Sequence, residues 1–183
     1  MDKHSAELKK FQRLRARWGH LLDEDPAKAL VEARTLALDG SSSGKLFAGL
    51  KASVLIDAGA SVGDKKAIED GMALFEELLT TRPEDTVSHY NLGNGFVALA
   101  DQQPYTGFDW YLATAEKRQK ARWHLQHAAS SDSTGKISSQ AFTNLGNAFW
   151  KAHRWAEAYD AYSRALEHDS TNCVALTGAA KVL

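Results

Sequence analysis

The sequence contains little cysteine and little proline. Its 183 residues include one cysteine, Cys173, and three prolines. A single cysteine excludes an internal disulfide and any zinc motif built on paired cysteines. The prolines, at positions 26, 83 and 104, stand where breaks between helices would be useful.

The sequence also has no excess of either charge and no long apolar run. Lys and Arg number 22 and Asp and Glu number 23, so the whole chain offers no basic field for nucleic acid or anionic lipid. No apolar run approaches the roughly 20 residues that a membrane helix needs, and residues 1–20 have no apolar signal core. We therefore expect a cytoplasmic protein with neither a membrane nor a nucleic-acid partner.

Apolar residues recur every three or four positions along the chain. In DKKAIEDGMALFEELL, for example, they include Ile68, Met72, Phe75 and Leu79. This spacing is that of a helix. The Asn-Gly and Asp-Gly pairs are not flanked by the alternation that a β-hairpin requires. The sequence therefore predicts an all-α fold.

One phrase occurs twice: HYNLGNGF at 89–96 and FTNLGNAF at 142–149. The second copy opens a 34-residue stretch from Ser139 with large, small and aromatic residues at regular places. The diagnostic positions in that stretch are Phe142, Leu145, Gly146, Phe149, Ala158, Tyr162 and Ala165. The pattern resembles the tetratricopeptide repeat (TPR). This resemblance implies an α-α superhelix, a solenoid of antiparallel helix pairs that works as a protein-interaction module and not as an enzyme.

The spacing of the two phrases predicts an insertion. Gly93 and Gly146 lie 53 positions apart, 19 more than one 34-residue period. The small-and-large pattern of a second helix appears late, at Ala121, Leu125 and Ala128. We place an inserted segment at about 102–118 and about three extra residues in SSDSTGK. Residues 102–111 are expected to form a projecting turn, followed by a helix longer than a normal second helix.

The repeat pattern divides the chain as follows. Residues 1–44 form an N-terminal helix pair (4–22 and 26–38) from a degenerate repeat, with a flexible loop at 40–44. A degenerate repeat covers 45–85, a repeat with the insertion 86–138, and a well-matched repeat 139–172. Residues 173–183 begin a further or capping helix.

A narrower resemblance covers roughly the last 100 residues. The doubled Asn-Leu-Gly-Asn phrase with a long helix between is similar to the TPR region of prokaryotic proteins that carry a C-terminal HEPN domain. HEPN domains are often ribonucleases of toxin and antiviral systems. The resemblance implies the alternative function: the regulatory part of a HEPN-type RNA-targeting toxin or antiviral defence system.

Two Arg-x4-His pairs have the spacing of HEPN nuclease motifs, Arg15 with His20 and Arg122 with His127. His124 and His127 also stand at i and i+3, a spacing that suits two metal ligands. Such pairs arise easily by chance among seven histidines, and no acidic or cysteine partner has a suitable spacing. We expect no catalytic residue, no metal and no cofactor.

Aromatic residues precede a basic stretch within the insertion. Phe108, Trp110 and Tyr111 come before EKRQKAR, which holds four basic residues. Aromatic and basic side chains together can bind single-stranded nucleic acid. Because the chain is not basic overall, we favour aromatics that fasten the insertion and serve as a docking site.

Polar residues on the first helices give the best functional signal. TPR arrays bind through a concave groove lined by first helices. The corresponding positions here are Tyr90, Asn94, Val97, Thr143, Asn144, Asn147 and Trp150. Asparagine is a poor helix former, but its amide both donates and accepts and so suits a peptide backbone. We expect a peptide or helix of a partner protein in this groove.

A chaperone-tail clamp is not expected, because Tyr90 and Val174 stand where lysines belong.

The C-terminal helix leaves an apolar flank. Eleven residues follow Asn172, and they include Cys173, Leu176, Ala179 and Leu183. These can cover part of the preceding helix pair but cannot present a solvated outer face. We expect either that the chain is a piece of a longer protein or that this end associates with a partner or a second copy.

Overall fold

A computed structural model describes residues 3–38, 42–104, 106–132 and 135–183. Over these ranges the chain forms helices joined by turns, with no strand. The helices are α1 (Lys3–Glu24), α2 (Pro26–Thr35), α3 (Ser42–Val62), α4 (Lys65–Thr81), α5 (Thr86–Asp101), α6 (Phe108–Ser131), α7 (Lys136–Lys151), α8 (Trp155–His168) and α9 (Cys173–Val182). Among the described residues, none of the helices is both long enough and apolar enough to cross a membrane.

The first of two compact units, Met1–Thr81, contains α1 to α4. Helices α1 and α2 both pack on α3, and α4 packs against α3. Trp18 is almost fully buried with Leu30 and Leu55 in the core of this unit. Pro26 occupies the first turn of α2 as predicted, and the Asp25 carboxylate before it accepts a hydrogen bond from the Lys28 amide at 3.0 Å.

The predicted loop at 40–44 is wrong over Ser42–Gly44, which form the first turn of α3. Serine is unfavourable inside a helix but is favoured at its start, because its hydroxyl can satisfy free backbone amides. The rest of that predicted loop, residues 40 and 41, lies outside the described residues. Helix α2 ends at Thr35, three residues before the predicted end.

The second unit, Arg82–Leu183, contains α5 to α9. Each helix packs against the next, and α7 also contacts both α5 and α9. Leu125, Phe142, Leu145 and Tyr162 form the centre of its core. Antiparallel helices that pack as neighbouring pairs confirm the predicted fold class, an all-α solenoid of TPR type.

Glycines mark the closest helix contacts in this unit. A Cβ atom on Gly93 would lie 2.6 Å from the Leu125 side chain, and one on Gly146 would lie 2.5 Å from the Tyr162 ring. Neither distance is sterically possible. The two equivalent glycines therefore allow α5 to approach α6 and α7 to approach α8, as the repeated phrase predicts.

The insertion is accommodated mainly by lengthening α6. This helix has 24 residues, against 14 in α8, which confirms the predicted long helix. The predicted turn over 102–111 is wrong at its end, because residues 108–111 already belong to α6. The buried Arg118 explains the early start: its guanidinium stacks 4.4 Å from the Trp110 ring and donates to Thr114 at 3.1 Å. Thr114 and Trp110 precede Arg118 by four and eight residues, which places all three side chains on one face of a helix.

Helix α9 leaves apolar side chains exposed. Val174 and Leu176 are 58% and 48% exposed, whereas Ala175 is fully buried. The predicted association through this helix stays a prediction.

We predict that Gly146→Ala destabilises the second unit. Alanine gains roughly 1 kcal/mol of helix propensity over glycine. Overpacking against the rigid Tyr162 ring costs typically about 1–3 kcal/mol, so the net loss should approach 1 kcal/mol or more. Chemical denaturation measures this difference. Gly19→Ala in α1 is the control, because no atom lies within 4 Å of the added Cβ and the variant should be at least as stable as the parent. Equal or higher stability of Gly146→Ala would contradict the close-packing role.

Candidate functional site

Two first helices, α5 and α7, carry the predicted groove residues on neighbouring faces. Asp85 fixes the start of α5 by accepting a hydrogen bond from the Ser88 amide at 2.9 Å. From this start, Tyr90, Asn94 and Val97 follow one another at i, i+4 and i+7 on one side of α5. Asn144, Asn147 and Trp150 follow at successive intervals of three on α7. We call these six residues the α5–α7 face.

A hydrogen bond between asparagines joins the two helices. The Asn144 Nδ2 donates to Asn94 Oδ1 at 2.8 Å and lies 3.4 Å from the Tyr90 hydroxyl. Among the described residues, Asn94 Nδ2 and Asn144 Oδ1 make no hydrogen bond. The amide pair therefore presents a donor nitrogen and an acceptor oxygen, and both side chains are only half-buried. That is the complement of a peptide group.

A hydrogen bond from a buried tyrosine orients the side chain of Asn147. The buried Tyr162 of α8 donates from its hydroxyl to Asn147 Oδ1 at 2.7 Å. This bond fixes which way the Asn147 amide points, so its Nδ2 is directed away from Tyr162. Asn147 thereby continues the row of amides along α7.

Thr143 has a different position from the other predicted groove residues. It is 5% exposed, donates to the Ser139 carbonyl at 2.8 Å, and accepts from Asn172 Nδ2 at 2.9 Å. Asn172 also caps α9 by accepting from the Ala175 amide at 3.0 Å. The structure thus places Thr143 in the joint between α7 and α9, and not among side chains that a ligand could reach.

Apolar side chains flank the amides of the α5–α7 face. Tyr90 and Val97 are half-buried against the core, whereas Trp150 is 41% exposed. The Trp150 ring meets Trp155 of α8 edge-to-face, with ring centroids 6.2 Å apart. An exposed indole beside oriented amides offers stacking area for the side chains of a bound peptide.

The predicted docking aromatics are partly described. Phe108 and Tyr111 lie in the first turn of α6, and their side chains are outside the described part of the structure. Trp110 is half-buried, lies against Arg118, and donates its indole N–H to the Gln103 carbonyl at 3.1 Å. Trp110 thus fastens α6 to the turn that precedes it. A docking role for the three residues stays a prediction.

A histidine cluster joins α5 to α6. His89 Nδ1 lies 2.9 Å from His124 Nδ1, and its Nε2 donates to the Pro83 carbonyl at 2.8 Å. The His127 ring lies 4.0 Å from that of His89, and its Nε2 is 2.9 Å from the Glu84 carboxylate. The sequence suggested the pair at 124 and 127 but gave no sign of His89, because the contact depends on how the helices pack.

This cluster is not arranged for metal binding. The two facing Nδ1 atoms of His89 and His124 already share a hydrogen bond, so neither offers a free lone pair to an ion. No group of three or more potential ligands in the described part of the chain could hold a metal ion.

The two arginine–histidine pairs belong to different helices, α1 and α6. His20 forms an ion-pair contact with Glu24 within α1, at 3.0 Å. His127 faces Glu84, as described above, on α6. The nuclease interpretation and the HEPN resemblance stay predictions.

The described arrangement is that of a helical-hairpin repeat, a class of protein-interaction modules. Residues 139–172 match the family model of the tetratricopeptide repeat, which confirms the TPR resemblance over α7 and α8. The repeat supports a general role in protein–protein interaction, and proteins of this family are typically non-enzymatic scaffolds. No curated protein matches the chain.

We predict a loss of stability on acidification that depends on His124. Burial, followed by the charges of His89, His127 and Lys120, lowers the pKa of His124 to about 4, and burial also lowers the pKa of His89. The unfolded chain therefore binds more protons than the folded chain between about pH 6.5 and pH 4. Stability is fully present above that window and falls as the pH drops through it.

From pH 7.5 to 5.5 the free energy of unfolding should fall by about 1 kcal/mol, after discounting for the partial exposure of His124. Denaturation curves at several pH values measure the slope, and His124→Gln should flatten it. His153→Asn, at an exposed turn, should leave the slope unchanged. An identical pH slope in His124→Gln and the parent would contradict the prediction.

Proposed function

We propose that the chain is a protein-interaction scaffold or sensor that binds a partner's peptide segment on the α5–α7 face. The observation that carries the proposal is the Asn94–Asn144 hydrogen bond, which leaves Asn94 Nδ2 and Asn144 Oδ1 without a partner among the described residues, on side chains that are partly exposed. The TPR match across α7 and α8 supports it, because TPR arrays bind through the face of their first helices.

The chemistry of the face favours an extended segment as the ligand. A helix already uses its backbone amides internally, whereas an extended peptide presents unpaired N–H and C=O groups. Asn94 Nδ2, Asn144 Oδ1 and the amide of Asn147 can satisfy such groups. Tyr90, Val97 and Trp150 would contact the intervening side chains, and the exposed Trp150 is suited to an aromatic or apolar residue.

An ion pair joins the C-terminal ends of α5 and α7 beside this face. Lys151 of α7 forms an ion pair with Asp101 of α5, and Arg118 of α6 lies 3.5 Å from the same carboxylate. The pair holds the carboxyl ends of the first helices together. This exposed pair contributes a small stabilisation, and together with the Asn94–Asn144 hydrogen bond it favours the observed arrangement before a ligand arrives, which reduces the entropy lost on binding.

The test uses peptides that the full chain selects from a displayed library of random 12-residue peptides, measured by fluorescence anisotropy. We predict that the double variant Asn94→Ala/Asn144→Ala binds them at least tenfold more weakly. Loss of hydrogen bonds to a peptide group accounts for roughly 1 kcal/mol or more. Circular dichroism of the variant checks that its helices persist.

Gln126→Ala is the matched control, because Gln126 is an exposed amide on a second helix, α6. It should bind with the parent affinity. Selected peptides that bind the double variant within twofold of the parent, or a library from which the chain selects nothing, would remove the proposed site.

A further inference from the structure

A run of positive charge lies on α1, although the chain as a whole is balanced. Residues 9–17, KKFQRLRAR, hold five basic residues and no acidic one. Four of the five line a groove of about 450 Å³ along the helix. The lining residues are Ala6, Lys9, Lys10, Arg13, Leu14, Arg17 and Leu36.

The groove has an apolar floor and a cationic rim. Ala6, Leu14 and the aliphatic stems of the basic side chains supply its carbon surface, and Leu36, at the end of α2, closes one side. Lys9, Arg13 and Arg17 follow at intervals of four, so the charges stand roughly 6 Å apart along the helix axis. From Ala6 to Arg17 the groove is roughly 16 Å long, or three helical turns.

The basic side chains of the groove differ in whether they contact other residues. Arg17 is anchored by Glu32 of α2, with contacts of 2.5 and 2.8 Å, and Lys10 lies 5.4 Å from the centre of the Phe47 ring. Lys9 and Arg13 are exposed and form no ion pair with any described residue. Lys51 of α3 donates to the Leu36 carbonyl at 2.8 Å and so adds a positive charge beside Leu36.

We propose that this groove binds an acidic amphipathic helix of a partner protein. A helix with acidic residues at intervals of four repeats its charges at the same roughly 6 Å spacing as the rim. Its apolar stripe would cover the floor formed by Ala6, Leu14 and Leu36. Charge complementarity and an apolar floor of three turns together define the ligand.

The composition of the groove argues for a peptide over a nucleic acid. Binding of single-stranded nucleic acid relies on aromatic side chains on which bases stack, and the lining residues include none. A polyanion would also gain nothing from the apolar floor. The groove belongs to the first unit, whereas the α5–α7 face belongs to the second.

The test measures binding of a labelled 16-residue helical peptide to the full chain by fluorescence anisotropy. The peptide carries glutamate at intervals of four and leucine along the adjacent stripe. Arg13→Glu should weaken its binding at least tenfold. Arg15→Glu makes the same change of charge on the opposite side of α1, outside the groove, and should change the affinity less than twofold.

Two further probes separate this proposal from general anion binding. A peptide with the same glutamates but serine for leucine should bind at least tenfold more weakly, because the floor is then uncovered. Asn94→Ala/Asn144→Ala should leave binding of the parent peptide unchanged. The proposal is overturned if Arg13→Glu and Arg15→Glu weaken binding equally. It is also overturned if inorganic polyphosphate, single-stranded RNA or vesicles of anionic lipid bind at least as tightly as the leucine peptide, or if no probe binds.

Discussion

The close approach of α7 and α8 is the constraint on which the second unit depends. It requires a hydrogen atom where any other residue would place a Cβ, because the Tyr162 ring fills that space against Gly146. The buried Tyr162 then directs its hydroxyl past the glycine to Asn147. One contact therefore sets both the packing of the core and the orientation of an amide on the α5–α7 face. Stability and the geometry of the candidate site are coupled through a single tyrosine.

The same principle, a long side chain anchored across helices, explains the lengthened α6. Arg118 reaches from α6 towards Asp101, which also pairs with Lys151 of α7. A buried guanidinium is tolerated here because it stacks on Trp110 and has a carboxylate nearby. Arg118, at the end of the inserted segment, thereby adds a charge contact at one end of the α5–α7 face.

Much of the fold could be predicted from the sequence, because the residues that pack together in a repeat recur at fixed spacings along the chain. Gly146 and Ala158 were placed correctly since small residues recur where helices touch. The turn before α6 is predicted too long, because the apolar spacing does not show that Arg118 packs on Trp110, eight residues earlier in the same helix. His89 and Asn172 were missed since their partners lie about 30 residues away or more, at His124, Ser139 and Thr143. The groove on α1 was not predicted, because the net charge of −1 describes the whole chain and does not show a local run of basic residues.

The doubled phrase has a meaning beyond the helix that it encodes. Asn94 is the second asparagine of the first copy, and Asn144 is the first asparagine of the second copy. Asn91, the first asparagine of the first copy, donates instead to the Val87 carbonyl of its own helix at 2.8 Å, so equivalent asparagines of the two copies have different partners. In α9 the position equivalent to Asn144, 34 residues later, is Gly178, which offers no side chain to Asn147. Tyr162 donates to Asn147 Oδ1 in place of an asparagine, so the hydrogen bond that joins α5 to α7 has no equivalent between α7 and α9 among the described residues.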